Sequence, residues 1–174
     1  MGARIHGALG VAAAVAVGLA GCGGGADPDA TARVEVGPLA LSESDPLADV
    51  ELEAVLAPEV FAGGEGESVE VRLCATARVA EGSSSANIGV QVEAAPPYEA
   101  GRKTRTGQGS ARACIGAVVG HCEAGVPCVV AGGAGAWRLS GTVTAVDLTL
   151  EAELFGAAVD EAGGEPLLTL EAFE

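Results

Sequence analysis

Apolar and polar residues alternate along several short stretches of this chain, as they do in β-strands with one buried face. In the clearest stretch, 69–79, valine, leucine or alanine occupies every odd position and mostly polar residues occupy the even ones. The same alternation marks the stretches 34–36, 50–56, 88–92, 137–143, 146–154 and 168–172, and residues 114–119 form a short apolar run. About eight strands with Gly/Pro/Ser turns between them predict an all-β domain, an antiparallel sandwich or barrel-like fold.

Helical periodicity is weak outside the first 21 residues. One stretch, 50–56, also suits a short helix, since Glu, Leu and Ala are good helix formers. Two segments lack a strand pattern: the polar residues 98–112 are predicted to form a loop, and residues 131–136 (AGGAGA) a flexible connector. Turns are expected at 82–85 and at 160–164, Pro96-Pro97 is expected to end a strand, and a slip in the alternation near Ala145 indicates a bulge or a tight turn.

The chain begins with a segment built like a secretory leader. Arg4 precedes an apolar run, 8–19, which has the length of a signal-peptide core and is too short to cross a bilayer as a helix. The run ends in Leu19-Ala20-Gly21-Cys22, and three glycines follow. This tetrapeptide resembles the bacterial lipobox, so the leader is similar to that of bacterial lipoproteins. The resemblance covers the leader alone.

The lipoprotein resemblance implies that residues 1–21 are removed as a signal peptide and that Cys22 becomes a lipid-bearing amino terminus. Its thiol would receive a diacylglyceryl group, and the new amino group can be acylated as well. Because one acyl chain anchors only marginally, two or three chains are what make such an attachment stable. The alternative is an ordinary signal peptide, cut near Ala16, which would leave Cys22 as a spare thiol.

A tether and a single domain are predicted after the leader. Residues 22–32 comprise the lipidated cysteine and a Gly-rich tether, and residues 33–174 form one β domain. Ten flexible residues have a root-mean-square reach of roughly 18 Å, which keeps the domain close to the membrane. Gly23, rather than an aspartate, follows Cys22. The resemblance therefore favours the outer membrane if the source has two membranes.

The composition suits a packed and strongly acidic domain. The full chain has a formal charge of −15 at pH 7, and loss of Arg4 with the leader makes the mature chain one unit more negative. Such a charge repels nucleic acid and anionic headgroups, so neither is an expected partner. Hydrophobic residues make up 49% of the chain, against the composition of a disordered protein, and aromatic residues only 3%. The predicted core is therefore aliphatic.

Four cysteines remain once Cys22 carries lipid, and they are Cys74, Cys114, Cys122 and Cys128. An even number in an exported chain predicts two disulfides, with three possible connectivities. We favour Cys122–Cys128 across a short loop and Cys74–Cys114 between two strands, while Cys114–Cys128 is a competing pair. Because Cys74 is out of phase with the apolar positions of 69–79, its disulfide is expected on the outer face of the sheet, to a loop or an outer strand.

Basic residues are concentrated in the predicted polar loop, as Arg102, Lys103, Arg105 and Arg112. They hold half of the positive charge of the mature chain. They form a candidate docking patch for a carboxylate, a phosphate or an acidic partner. The alternative is a solvated loop whose charges offset neighbouring acids.

No motif in the chain predicts a cofactor or a metal site. His121 with Cys114, Cys122 and Cys128 has the residue types of a Cys₃His zinc site. The spacing lacks the Cys-x₂-Cys pairs that usually build such sites, and an oxidising compartment favours disulfides over thiolate ligands. We therefore expect disulfides rather than a metal.

The sequence also lacks a recognisable catalytic motif. It has no Gly-x-Ser-x-Gly elbow, and no two of its many carboxylates are singled out as an acid/base pair. We therefore predict a lipid-anchored extracytoplasmic lipoprotein, a non-catalytic binding or envelope-structural module whose candidate partner is another envelope protein. The alternative is a membrane-tethered secreted hydrolase that uses surface carboxylates. A buried pair of acids would favour the hydrolase, and solvated acids beside an exposed patch would favour the binding module.

Overall fold

The chain folds into two antiparallel β-sheets that pack against each other. The computed structural model describes residues 27–61, 68–81, 86–95, 101–120, 128–142, 145–158 and 164–173. These residues form nine strands and one short 3₁₀ helix, Pro58–Phe61. The all-β antiparallel sandwich predicted from the alternation is thus confirmed, and the alternative of a helix at 50–56 is wrong.

The strands are β1 (Ala30–Ala40), β2 (Leu47–Leu56), β3 (Ser68–Val79), β4 (Asn87–Ala94), β5 (Arg102–Gln108), β6 (Ser110–Gly120), β7 (Cys128–Ser140), β8 (Ala145–Phe155) and β9 (Leu168–Phe173). The four-stranded sheet has the order β1-β8-β3-β6, and the five-stranded sheet has the order β5-β4-β7-β2-β9. The turn expected near Ala145 lies between β7 and β8. The turns expected at 82–85 and 160–163 and Pro96-Pro97 lie outside the described residues, and β4 ends just before those prolines.

Alternate residues of both sheets point inward and form one aliphatic core. Its largest fully buried side chains are leucines, valines and one isoleucine, with Leu56, Leu73, Ile88, Leu148, Leu150 and Leu154 among them. Within the described residues, no polar or charged side chain is buried. Each buried methylene group contributes about 0.8 kcal/mol, so the sandwich is held together mainly by aliphatic burial.

A disulfide joins Cys74 of β3 to Cys114 of β6, with 4.1 Å between their α-carbons. The two residues lie directly opposite each other in the antiparallel register. Leu73 and Ala75 on either side of Cys74 belong to the core, so the bridge lies on the outer face, and β6 is an outer strand of its sheet. This is the pairing favoured from the sequence, and it excludes Cys114–Cys128. Cys128 is itself disulfide-bonded.

The prediction of a polar loop over 98–112 is wrong. Residues 102–108 form β5, an edge strand that pairs with β4, and Ser110 already belongs to β6. Gly109 connects them with a φ of +72°, a conformation that favours glycine. The strand is hidden in the sequence because nearly all its side chains are exposed, which removes the apolar alternation by which strands are recognised.

The prediction of a flexible connector over 131–136 is also wrong. These residues are the middle of β7, the central strand of the five-stranded sheet. Gly133, for example, pairs with Glu51 of β2 on one side and with Glu93 of β4 on the other. Glycine disfavours strands in isolation, but here two neighbouring strands hold the backbone with hydrogen bonds.

The folded domain begins at the amino-terminal end of β1. This strand starts at Ala30, ahead of the boundary at residue 33 that the sequence suggested. The leader and Cys22 lie outside the described residues. Within the ranges that the structure describes, no helix has the length and apolarity needed to cross a membrane.

Candidate functional site

An open groove of about 1190 Å³ runs over the outer face of the five-stranded sheet. Its floor is β7, where Ala131 and Gly133 point away from the core and Gly135 continues the stripe. These residues lack long side chains, whereas the strands on both sides, β2 and β4, carry long polar ones. The difference in side-chain length is what makes the groove. We call this surface, with its floor and its two walls, the groove.

The wall on β2 carries three carboxylates, Asp49, Glu51 and Glu53. They alternate with the core residues Val50 and Leu52, so all three project from the outer face. In the register with β7, each lies beside one of the small floor residues. Successive outward residues of a strand are about 6.7 Å apart. The wall is therefore a straight row of negative charges at that repeat.

The wall on β4 consists of Gln91 and Glu93. Glu93 is held by Arg102 of the neighbouring edge strand, whose Nε donates a hydrogen bond to Glu93 Oε2 at 2.7 Å. A second guanidinium nitrogen of Arg102 lies 2.6 Å from the same oxygen. The β4 wall is thus close to neutral, and the groove is acidic mainly on its β2 side.

One end of the β2 wall adjoins β9. Glu53 lies directly opposite Glu171, and Glu51 lies opposite Phe173, whose ring is 44% exposed. Like charges directly opposite each other on neighbouring strands are destabilising. Among the residues that the structure describes, Asp49, Glu51, Glu53 and Glu171 take part in no ion pair.

The outer face of the four-stranded sheet is different, because its acids are paired with arginines. The pairs include Arg33–Glu35 at 2.8 Å, Arg112–Glu151 at 2.9 Å, Arg72–Glu153 at 3.3 Å and Arg72–Glu70 at 3.6 Å. Each exposed pair is worth at most about 1 kcal/mol. Their value here is comparative: this chain neutralises the acids of one sheet internally and leaves those beside the groove without a cation.

Trp137 lies on the same outer face, next to the groove. It is directly opposite Gly89 in the register of β4 with β7. A Cβ atom on Gly89 would collide with the indole ring, so the ring rests on the glycine backbone. Leu47 and Leu139, both exposed, are its neighbours at this end of the sheet. An aromatic and aliphatic patch therefore borders the distal end of the groove.

Gly89→Leu is expected to push the indole of Trp137 into solvent. The fluorescence maximum of Trp137, the only tryptophan in the chain, should then shift to longer wavelength. The matched control is Gly120→Leu on β6, where nothing lies within 4 Å of the added atom. An unchanged spectrum for Gly89→Leu would contradict the stacking of Trp137 on Gly89.

The candidate docking patch of four basic residues is not gathered in one loop. Arg102, Lys103 and Arg105 lie on β5, while Arg112 lies on β6 of the other sheet. Arg102 and Arg112 are engaged by glutamates, Glu93 and Glu151 respectively. Arg105 donates a hydrogen bond to the carbonyl oxygen of Thr104 at 3.1 Å. The structure therefore divides the four residues between two sheets.

Three of the residues considered for chemistry, Cys22, His121 and Cys122, lie outside the described residues. Cys114, from the zinc alternative, is bonded to Cys74. In the described ranges, no group of three or more His, Cys, Asp or Glu side chains is arranged to hold a metal ion.

The groove was missed at the level of sequence. The alternation of 50–56 indicated that Glu51 and Glu53 face solvent, and the glycines of 131–136 were visible. What connected them was the pairing of β2 with β7, two segments far apart in the chain. A glycine-rich stretch between two strand patterns was the available signal, and it was interpreted as a connector.

The fold and the groove define an all-β sandwich with one internally neutralised face and one open, acidic face. Comparisons with protein-family models, with curated proteins and with solved structures found no match to this chain.

Proposed function

We propose that this chain is a lipid-anchored extracytoplasmic binding module, which acts without catalysis and holds an envelope protein in the groove. The observation that carries the proposal is the groove itself, an opening of about 1190 Å³ on a sheet face. The acids of its β2 wall have no cation among the described residues to neutralise them. A surface of this kind suits recognition, since a partner can supply both the missing side chains and the missing charge.

The attachment of the domain to a lipid at Cys22 is supported by the lipobox resemblance and by the short link that follows. Asp29 is fixed to the domain: its N–H donates to the carbonyl of Leu154 at 2.8 Å, and its carboxylate accepts the N–H of Ala157 at 2.8 Å. Even fully extended, residues 23–28 span at most about 21 Å. A lipidated Cys22 would therefore hold this end of the sandwich close to the membrane surface.

The direction of the strands supports an outward-facing role for the groove. β1 leaves Asp29 and runs about 33 Å to Ala40. β2 then starts at Leu47 and returns along the other sheet. The end of the groove next to Trp137 is consequently the end away from the tether. With the anchor in place, a partner can approach the groove from the side or from above.

The exposure of the acids supports binding over the hydrolase alternative. A catalytic acid usually needs burial or a close second carboxylate to shift its pKa toward neutrality. The carboxylates beside the groove are partly or fully exposed, and they stand in a row along one strand.

The mass of the protein from its native host tests the anchor. After detergent extraction, we expect the mass of residues 22–174 plus two or three acyl chains, less four hydrogens for two disulfides. Cys22→Ala is the matched variant and should lose all of the lipid mass. An unlipidated wild-type chain cut near Ala16 would instead indicate a freely secreted protein.

Photo-crosslinking in the intact envelope tests the use of the groove. A photoreactive residue replaces Gln91 in the groove wall, and the same residue replaces Glu35 on the opposite face as the control. We expect a discrete protein adduct from position 91 and none from position 35. Equal adducts at both positions, or none at position 91, would contradict a binding role for the groove.

A further inference from the structure

We propose that the groove docks an extended segment of a partner protein that carries lysine or arginine at alternating positions. This inference rests on the proposed function, because it names the chemistry of the partner that the groove would hold.

Charge complementarity is the first step of the argument. Asp49, Glu51 and Glu53 form an uncompensated row, and Glu53 faces Glu171 directly across two strands. The other sheet shows that this chain places arginines beside acids where it neutralises them itself, as at Arg112 and Glu151. Basic side chains from a partner would relieve the repulsion beside the groove and would be steered to it by the acidic domain.

The spacing of the row points to an extended polypeptide. Alternate side chains of an extended chain repeat at about 6.7 Å, the same repeat as the outward residues of β2. A segment lying along β7 can therefore bring successive basic side chains to Asp49, Glu51 and Glu53 in register. A single metal ion is a poorer match, because within the described chain no group of acids converges to hold one.

The floor and the ends of the groove suit the remaining parts of such a segment. Ala131 and Gly133 leave room for a backbone to lie close to the sheet. Phe173 lines the groove and is partly exposed, and Trp137 borders the other end. Aromatic rings bind guanidinium and ammonium groups through their faces, and the aliphatic stems of lysine and arginine pack on apolar surface.

The test uses the mature lipidated protein in a non-ionic detergent and three synthetic peptides. The first peptide alternates lysine and threonine (KTKTKTK), the second has the same composition with contiguous lysines (KKKKTTT), and the third replaces lysine by glutamate (ETETETE). Binding is followed by the anisotropy of a dye on the peptide and by the fluorescence of Trp137. We expect the alternating peptide to bind several-fold more tightly than the contiguous one, to weaken with added salt, and the acidic peptide not to bind.

Two pairs of variants localise the binding. Glu51→Lys is expected to weaken the alternating peptide tenfold or more, whereas Glu35→Lys, with the same change in net charge on the other sheet, should change the affinity less than twofold. Gly133→Leu fills the floor at a position where an added Cβ makes only ordinary contacts of 3.4 Å and more. It should also weaken binding, and Gly120→Leu should not.

Several results would overturn the proposal. Equal losses for Glu51→Lys and Glu35→Lys would mean that only net charge matters, and equal affinity for the two lysine peptides would refute the register. Spermidine that binds as tightly as the peptide, with the same dependence on Glu51, would assign the groove to small polycations. A position-91 crosslink to a second copy of this chain would assign it to self-association.

The peptide assay and the crosslinking fail separately. If no peptide binds but position 91 still gives a specific protein adduct, the basic segment is wrong and the proposed function stands. If neither experiment gives a signal, both are wrong.

Discussion

Replacing Leu150 by alanine is expected to lower the free energy of unfolding by about 3–5 kcal/mol. Leu150 is fully buried on β8, between Val34 of β1 and Ala75 of β3. The loss combines the hydrophobic transfer energy of the removed atoms with the cost of the cavity left behind. Since domains are typically stable by 5–15 kcal/mol, this single change would remove a large part of the total. Chemical denaturation followed by circular dichroism measures it.

Leu139→Ala is the matched control for Leu150→Ala, because the same atoms are removed from a side chain that is 52% exposed. Its effect should stay near 0.5 kcal/mol, as for most surface substitutions. Comparable losses for the two variants would show that the inner and outer faces of the sheets are assigned wrongly.

Removing the Cys74–Cys114 disulfide is expected to lower the free energy of unfolding by about 4 kcal/mol. The bridge joins residues separated by 40 positions, and closing a loop of that length restricts the unfolded chain by roughly this amount. The double variant Cys74→Ala/Cys114→Ala is compared with the wild type under oxidising conditions. Alanine is chosen because Cys74 is buried, and a serine hydroxyl there would need a hydrogen-bond partner.

A reductant supplies the control for the disulfide. It should destabilise the wild type by more than it destabilises the double variant, since the variant has lost one of its bridges already. Equal stability of the wild type and the double variant without reductant would contradict a stabilising role for Cys74–Cys114.

Local patterns were enough to predict the strands that have one buried face. In β3 and β8, alternate side chains enter the aliphatic core, so the period of two is present in the sequence itself. The same phase placed Cys74 on the outer face, and the short list of cysteines made Cys114 its favoured partner. Alternation is a property of neighbours along the chain, and it can be detected without knowledge of the fold.

Two strands escaped prediction because their character depends on their surroundings. β5 is a polar edge strand with almost every side chain in solvent, so neither of its faces is apolar. The middle of β7 is glycine and alanine, which favour no strand by themselves, and it is extended because β2 and β4 pair with it on both sides. In both cases hydrogen bonds between distant segments override weak local preferences.

The sequence by itself determined the all-β class, the aliphatic core, the acidic charge and the lipobox resemblance at Cys22, since each is carried by composition or by residues close together in the chain. Only the tertiary structure decided which acids stay without a cation. Sheet pairing brought Glu151 to Arg112 on one face, and it placed Glu51 beside Gly133 and Phe173 on the other. Side chains far apart in sequence meet only through the strand order and register, and the groove exists because of that arrangement.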